Sequence, residues 1–140
     1  MDRRWEKNHM NEEMKIEIEL GDEVFEAELT REFSPKTFEK IVESLPIESE
    51  VKTWGDELYF EVPVIMGEEN ALGFVSKGDI GYWPAGRTLC IFYGKTPLSE
   101  SDEKIIPTSP VNIVGNLKEP ERLKKLRPRG GETIRISARR

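Results

Sequence analysis

Residues 82 to 93, YWPAGRTLCIFY, set a tyrosine and a tryptophan against a proline, turn on Gly86 and continue with a guanidinium and a thiol. Tyr82 and Trp83 offer flat π faces and Arg87 a fork of N–H donors, a combination that suits stacking plus recognition of a carboxylate, a phosphate or a peptide carbonyl. The competing reading is architectural. Aromatic rings at the end of a β-structure often seal a core and leave a polar tip in water, and Arg87 has many surface carboxylates to pair with.

Other chemistry has less material. Cys90 is the sole cysteine, so an internal disulfide is impossible, and a lone thiol among apolar residues reads as a small buried hydrophobe before it reads as a nucleophile. His9 is the sole histidine and lies in a polar leader, which leaves nothing for a zinc centre or a histidine-based triad. No catalytic residue, metal ligand or cofactor is expected. Glu68-Glu69 and the group Glu100, Asp102 and Glu103 offer carboxylates for acid–base work or cation binding, but charge runs in loops are ordinarily solvated. The stretch RPRGGE, residues 127–132, has the look of an arginine-glycine nucleic-acid segment; a helix stop followed by a two-glycine turn explains it better.

At 140 residues the chain suits one domain with one core. Apolar residues make up 36% and charged residues 34%, which fits a globular protein with a densely charged surface. No apolar run approaches the roughly 18 residues of a membrane span, and no cleavable signal opens the chain, so a cytoplasmic location without a membrane partner is expected. Glutamine is absent while Lys and Glu abound, a bias towards a thermophilic source. Net charge is −6 but uneven: residues 118–140 hold nine Lys or Arg against three Glu, which leaves −12 for the remainder. The acidic body opposes a polyanion, so nucleic acid is not the expected partner.

These residues need a frame. Residues 1–13 are polar and aperiodic and read as a flexible leader, with a single domain over 14–140. From Met14, alternation of Ile16, Ile18 and Leu20 with charged neighbours predicts a half-buried strand; Gly21-Asp22 turns it, and Phe25, Ala27 and Leu29 return. In FSPKTFEKIVESLP, Ser34 is expected to cap a helix through its side-chain oxygen, Pro35 to open it, and Phe33 and Phe38 to staple it. Phe38, Ile41, Val42 and Leu45 share its inner face over about three turns. A second hairpin turns at Gly55-Asp56, residues 64–81 read as loop and short strands, and 87–93 is the most apolar strand. Val111–Val114 follows as a short strand. Glu119–Leu126 reads as a helix with Leu123 and Leu126 inward, and Thr133–Ser137 as the last strand. The sum is mainly β: a closed antiparallel barrel of about eight strands capped by two short helices.

Three segments, in order, resemble the cyclophilin superfamily of peptidyl-prolyl isomerases. FSPKTFEKIVESLP is similar to the family's A-P-K-T-V-x-N-F helix, GRTLCIFYGKTP to its G-S-Q-F-F-I strand and continuation, and NIVGNLKEPERLKKLRPRGGETIRI to its closing strand, helix and strand. The resemblance spans Met14 to Ser137 and implies a cyclophilin-like barrel with a groove on its outer wall. The implied isomerase site is not carried over. That site holds a proline ring in an apolar pocket while an arginine donates towards the prolyl nitrogen, lowering a barrier near ~20 kcal/mol. Here no arginine lies between Arg31 and Arg87, Thr88 replaces the strand's glutamine, Cys90 its second phenylalanine, and the groove histidine is missing. The pattern is similar to the small prokaryotic cyclophilin-like branch, which shares a GDIGYWPPG-like segment.

If the resemblance holds, Thr88, Cys90 and Phe92 face the groove while Leu89, Ile91 and Tyr93 fill the barrel. Tyr82, Trp83 and Arg87 would then form one rim, and Trp54 and Tyr59 the other. The expected function is a binding module that takes a short peptide or a small anionic molecule through Trp54, Tyr59, Tyr82, Trp83, Arg87, Thr88 and Cys90. The alternatives are an isomerase that uses Arg87 as substitute donor, and a protein-interaction scaffold of undetermined oligomeric state.

Overall fold

The computed structural model describes residues 13–139. The leader reading and His9 lie outside them, apart from Glu13, which already opens the first strand. Strands β1 (Glu13–Leu20) and β2 (Glu23–Thr30) form the opening hairpin in full eight-pair register. After them come helix α1 (Pro35–Ser44), β3 (Ile47–Glu50), β4 (Lys52–Thr53) and β5 (Glu57–Glu61). The rest of the chain supplies β6 (Asp79–Trp83), β7 (Thr88–Phe92), β8 (Asn112–Leu117), α2 (Pro120–Leu126) and β9 (Thr133–Ala138).

The sheet runs β3-β9-β1-β2-β8-β6-β7-β5-β4, antiparallel at every pairing. Its two edges, β3 and β4, are successive halves of one strand bent at Val51, so the sheet returns on itself as a nearly closed barrel of eight staves. Val51 secures the bend: its N–H donates to Glu132 O and its carbonyl accepts from Gly131 N. The seam is weak on one side, because β4 pairs with β5 through two residues only.

Inward-facing residues follow the period of two that the sequence shows. Ile16, Ile18, Leu20, Phe25, Ala27 and Leu29 are buried with Leu58, Phe60, Leu89, Ile91, Ile134 and Ile136, and Phe38 and Ile41 of α1 close over one end. A second apolar cluster lies outside the barrel wall, where Cys90 and Phe92 of β7 meet Val75, Ile105, Val111 and Ile113. Two long loops make it, tied to each other by paired bridges, Leu72 with Val111 and Val75 with Ile105.

Three local expectations are corrected. Ser34 does not cap α1 by accepting a bond; its Oγ donates to Glu69 O, and the Glu69 carboxylate accepts from Lys36 N, Thr37 N and Thr37 Oγ1. A full carboxylate with two oxygens satisfies more of the helix's orphan donors than one hydroxyl can. Phe33, the outer half of the expected staple, stands 46% exposed. In α2 only Leu123 is buried, and Leu126 is 41% exposed because the helix ends there at Arg127, in the left-handed region, and the chain turns away.

Candidate functional site

Pairing across β5, β7 and β6 decides which side chains share the outer wall. Tyr59 lies opposite Cys90, Glu61 opposite Thr88, Trp83 opposite Thr88, and Gly81 opposite Cys90. Glu57, Tyr59 and Glu61 therefore point outward together with Thr88, Cys90 and Trp83. Two glycines let other groups lie close on this wall. A Cβ at Gly81 would stand 2.7 Å from Val111 Cγ2, and one at Gly86 would stand 2.6 Å from the Trp83 ring. Bare backbone at these two places is what allows Val111 to rest on β6 and the indole to rest over the β6–β7 turn.

The result is a cavity of ≈ 190 Å³ lined by Trp54, Glu57, Tyr59, Trp83, Cys90, Val111 and the segment Pro107-Thr108-Ser109. Trp54 enters from the β4–β5 turn, closed by Trp54 N donating to Glu57 O. The 107–109 wall is held from behind: Thr96 Oγ1 donates to Ile106 O, and Ile106 N donates to Ser99 Oγ. A second hollow of ≈ 420 Å³ opens at the barrel seam, lined by Ser49, Glu50, Lys52, Phe60, Glu61, Gly86 and Thr88, and it shares Tyr59 and Trp83 with the cavity.

Four of the seven residues expected in the site, Trp54, Tyr59, Trp83 and Cys90, thus line one cavity. Thr88 belongs to the adjoining hollow and donates its hydroxyl to Gly86 O. Tyr82 is not a rim residue. Neighbours in a strand point to opposite faces, so with Trp83 outward Tyr82 must point inward, where it is fully buried and donates its hydroxyl to Val64 O. Arg87 is also elsewhere: it sits exposed in the β6–β7 turn at φ 51°, where its N–H donates to Pro84 O and its carbonyl accepts from Val62 N, and it lines neither hollow.

The charged group in the cavity is instead Glu57. It is only 6% exposed, and its Oε1 has no hydrogen-bond partner. Burial pushes its carboxyl up from the ordinary 4.5 to about 7; the Cys90 thiol beside it acts in the opposite direction without bonding Oε1. Cys90 is raised well above its ordinary value, by burial first and by the nearby Glu57 charge next, so its thiol is protonated and unreactive at neutral pH. The alternation that puts Tyr59 outward puts Glu57 on the same face, so a signal for this residue existed in ELYFE. Nothing local could announce Pro107, Thr108, Ser109 and Val111, which reach the wall from a loop.

Among the described residues no group of three or more His, Cys, Asp or Glu is arranged to hold a metal ion, and no helix is long and apolar enough to cross a membrane.

Comparison with known proteins agrees with the barrel. No curated protein matches the chain. The solution structure of the hypothetical protein AF2241 from Archaeoglobus fulgidus is similar, at 35% sequence identity and a TM-score of 0.74, covering 91% of this chain and 96% of that one. The family model described as Cyclophilin-like matches residues 14–137. With that match over nearly the whole barrel, the chain belongs to the cyclophilin-like family.

Proposed function

We propose that this protein is a binding module without isomerase machinery, which holds a short peptide or a compact small molecule in the cavity walled by Trp54, Tyr59 and Trp83. The observation that carries this reading is the preformed, mostly apolar cavity that shares an aromatic wall with a second, more polar hollow at the seam. Aromatic rings give large contact area at small entropic cost, and two adjoining compartments suit a ligand with one apolar and one polar part. An anionic ligand is disfavoured, since Arg87 lines neither compartment, Glu57 lines the first, and Lys52 in the second is outnumbered there by Glu50 and Glu61. The isomerase alternative loses the same residue, because a donor to the prolyl nitrogen has to stand over the bound ring.

The test is titration of proline-containing and unbiased peptide pools and of small-molecule mixtures, followed by tryptophan fluorescence and melting temperature. Wild-type protein is expected to respond and Trp83→Ala to respond at least about tenfold more weakly, the scale of a lost aromatic anchor. Spectra and melting temperatures that stay flat under saturating mixtures would end the proposal. A proline-isomerisation rate above buffer that vanishes on Arg87→Ala would establish the rival.

A further inference from the structure

The binding reading leaves open what chemistry the cavity selects, and the inference that follows rests on that reading. Three aromatic residues, a proline and a valine make the walls, two hydroxyls stand at Thr108 and Ser109, and the charged residue in the lining is a carboxylic one. Glu57 Oε1 is buried without a donor anywhere in the described protein. A buried carboxyl oxygen left unsatisfied is costly, and the donor it lacks has to come from outside. A protonated amine supplies that donor and a compensating charge together. Aromatic faces attract cations through their quadrupoles, most strongly where water is excluded. A cavity of ≈ 190 Å³ matches about six water-sized volumes, the scale of a butylammonium group.

We propose that the cavity receives a protonated amine, with Glu57 as its counter-charge and Trp54, Tyr59 and Trp83 as its aromatic enclosure. The amine arrives either on a small molecule or on the lysine side chain of a peptide, and both present the same ammonium.

Because ammonium pairs only with ionised Glu57, binding weakens as pH falls. Of the groups around Glu57, Cys90 of β7 is held well above its ordinary value by burial and the Glu57 charge, and Tyr93, just beyond β7, is pushed up to about 12 by burial and by Asp56, Glu132 and Glu57. Asp56, next in the chain, faces Lys124 Nζ at 3.6 Å. Tyr59 completes the neighbours on β5.

The test titrates the protein with n-butylamine, 1-butanol, butyrate and the capped peptide acetyl-Gly-Lys-Gly-amide, reading tryptophan fluorescence at pH 8 and pH 5.5. Butylammonium is expected to bind at least about tenfold more tightly than butanol, butyrate not at all, and the amine preference to shrink about tenfold at pH 5.5. Glu57→Gln, nearly isosteric, is expected to abolish the preference while butanol binding persists; the wild-type pH series gives the same answer with no variant. Tighter binding of the lysine peptide than of butylamine assigns a peptide source, and the reverse a small molecule. Equal binding of butanol and butylammonium, unchanged in Glu57→Gln, overturns the amine inference and leaves the binding module standing. Silence of all four probes overturns the amine inference, while a response to the peptide and small-molecule mixtures would still uphold the module.

Discussion

Glu57 is the residue whose chemistry departs furthest from what its type suggests. Its carboxyl is raised by burial from 4.5 to about 7, so between those values the folded protein holds a proton that the unfolded chain has released. The stability this group allows is therefore fully present below pH 4.5 and is lost as pH climbs through about 7, by at most roughly 3 kcal/mol. Glu57→Gln removes the ionisation but keeps the shape. It is expected to melt about 5 to 10 °C above wild type at pH 8, with the gap closing towards pH 5 in calorimetric scans. Parallel curves across that range would show that the carboxyl is not desolvated. The same residue shows where sequence reading stopped. A Glu in a charged strand looks solvated, and only the crossing of Pro107–Val111, distant in the chain, takes water away from it. Tyr82 was misplaced for a simpler reason: two adjacent aromatics in a strand cannot both face the groove, and alternation makes one of them core.

At the scale of elements, the opening hairpin, α1, the β4–β5 hairpin and β9 were legible because each is half-buried and writes its burial as a period. β6 was not, since Ile80, Gly81 and Tyr82 are buried in succession and leave no alternation to read. The bend at Val51 is not legible either, because β3 and β4 are told apart as the two halves of one stave only through their different partners, β9 and β5. Helix α1 shows how a long-range contact replaced a local one. Burial alone would raise the Glu69 carboxyl, but donors from Lys36 and Thr37 outweigh it and hold it below the ordinary carboxylate range. Asn112 locks the arrangement by accepting from Glu69 N and donating to Thr37 Oγ1 and Gly67 O. Glu69→Ala should therefore cost about 1–2 kcal/mol in urea unfolding at pH 7, the scale of a lost helix cap. Since a depressed carboxyl stabilises above its ordinary value and ceases to as pH falls through its folded one, the difference should fade in acid. A loss of equal size at pH 7 and at pH 2.5 would mean that Glu69 acts by packing and not by charge.

Over the whole molecule, the uneven charge finds an internal use. The basic C-terminal stretch lies against acidic strands: Arg122 meets Glu23 at 3.3 Å and covers the Phe25 ring at 4.4 Å, Arg139 meets Glu26 at 2.8 Å, and Arg135 meets Glu48 at 3.0 Å. Lys118 faces Glu28 at 3.7 Å, and Lys124 stands between Asp56 and Asp102 at 3.6 and 3.5 Å. Exposed pairs of this kind contribute about 0–1 kcal/mol each, so they do not build the barrel. They do leave a molecule of net charge −6 in which five of the C-terminal cations, Lys118, Arg122, Lys124, Arg135 and Arg139, already stand beside carboxylates. A nucleic-acid surface needs the reverse, several cations free to displace counterions from phosphates. In gel-shift titrations at 0.15 M salt, neither duplex nor single-stranded DNA should be retarded, and 1 M salt should lower the melting temperature by only about a few degrees as the pairs are screened. A retarded complex whose affinity falls steeply with salt would show that Arg122, Arg135 and Arg139 leave their carboxylates for phosphates, and that the basic C-terminal stretch is a binding arm after all.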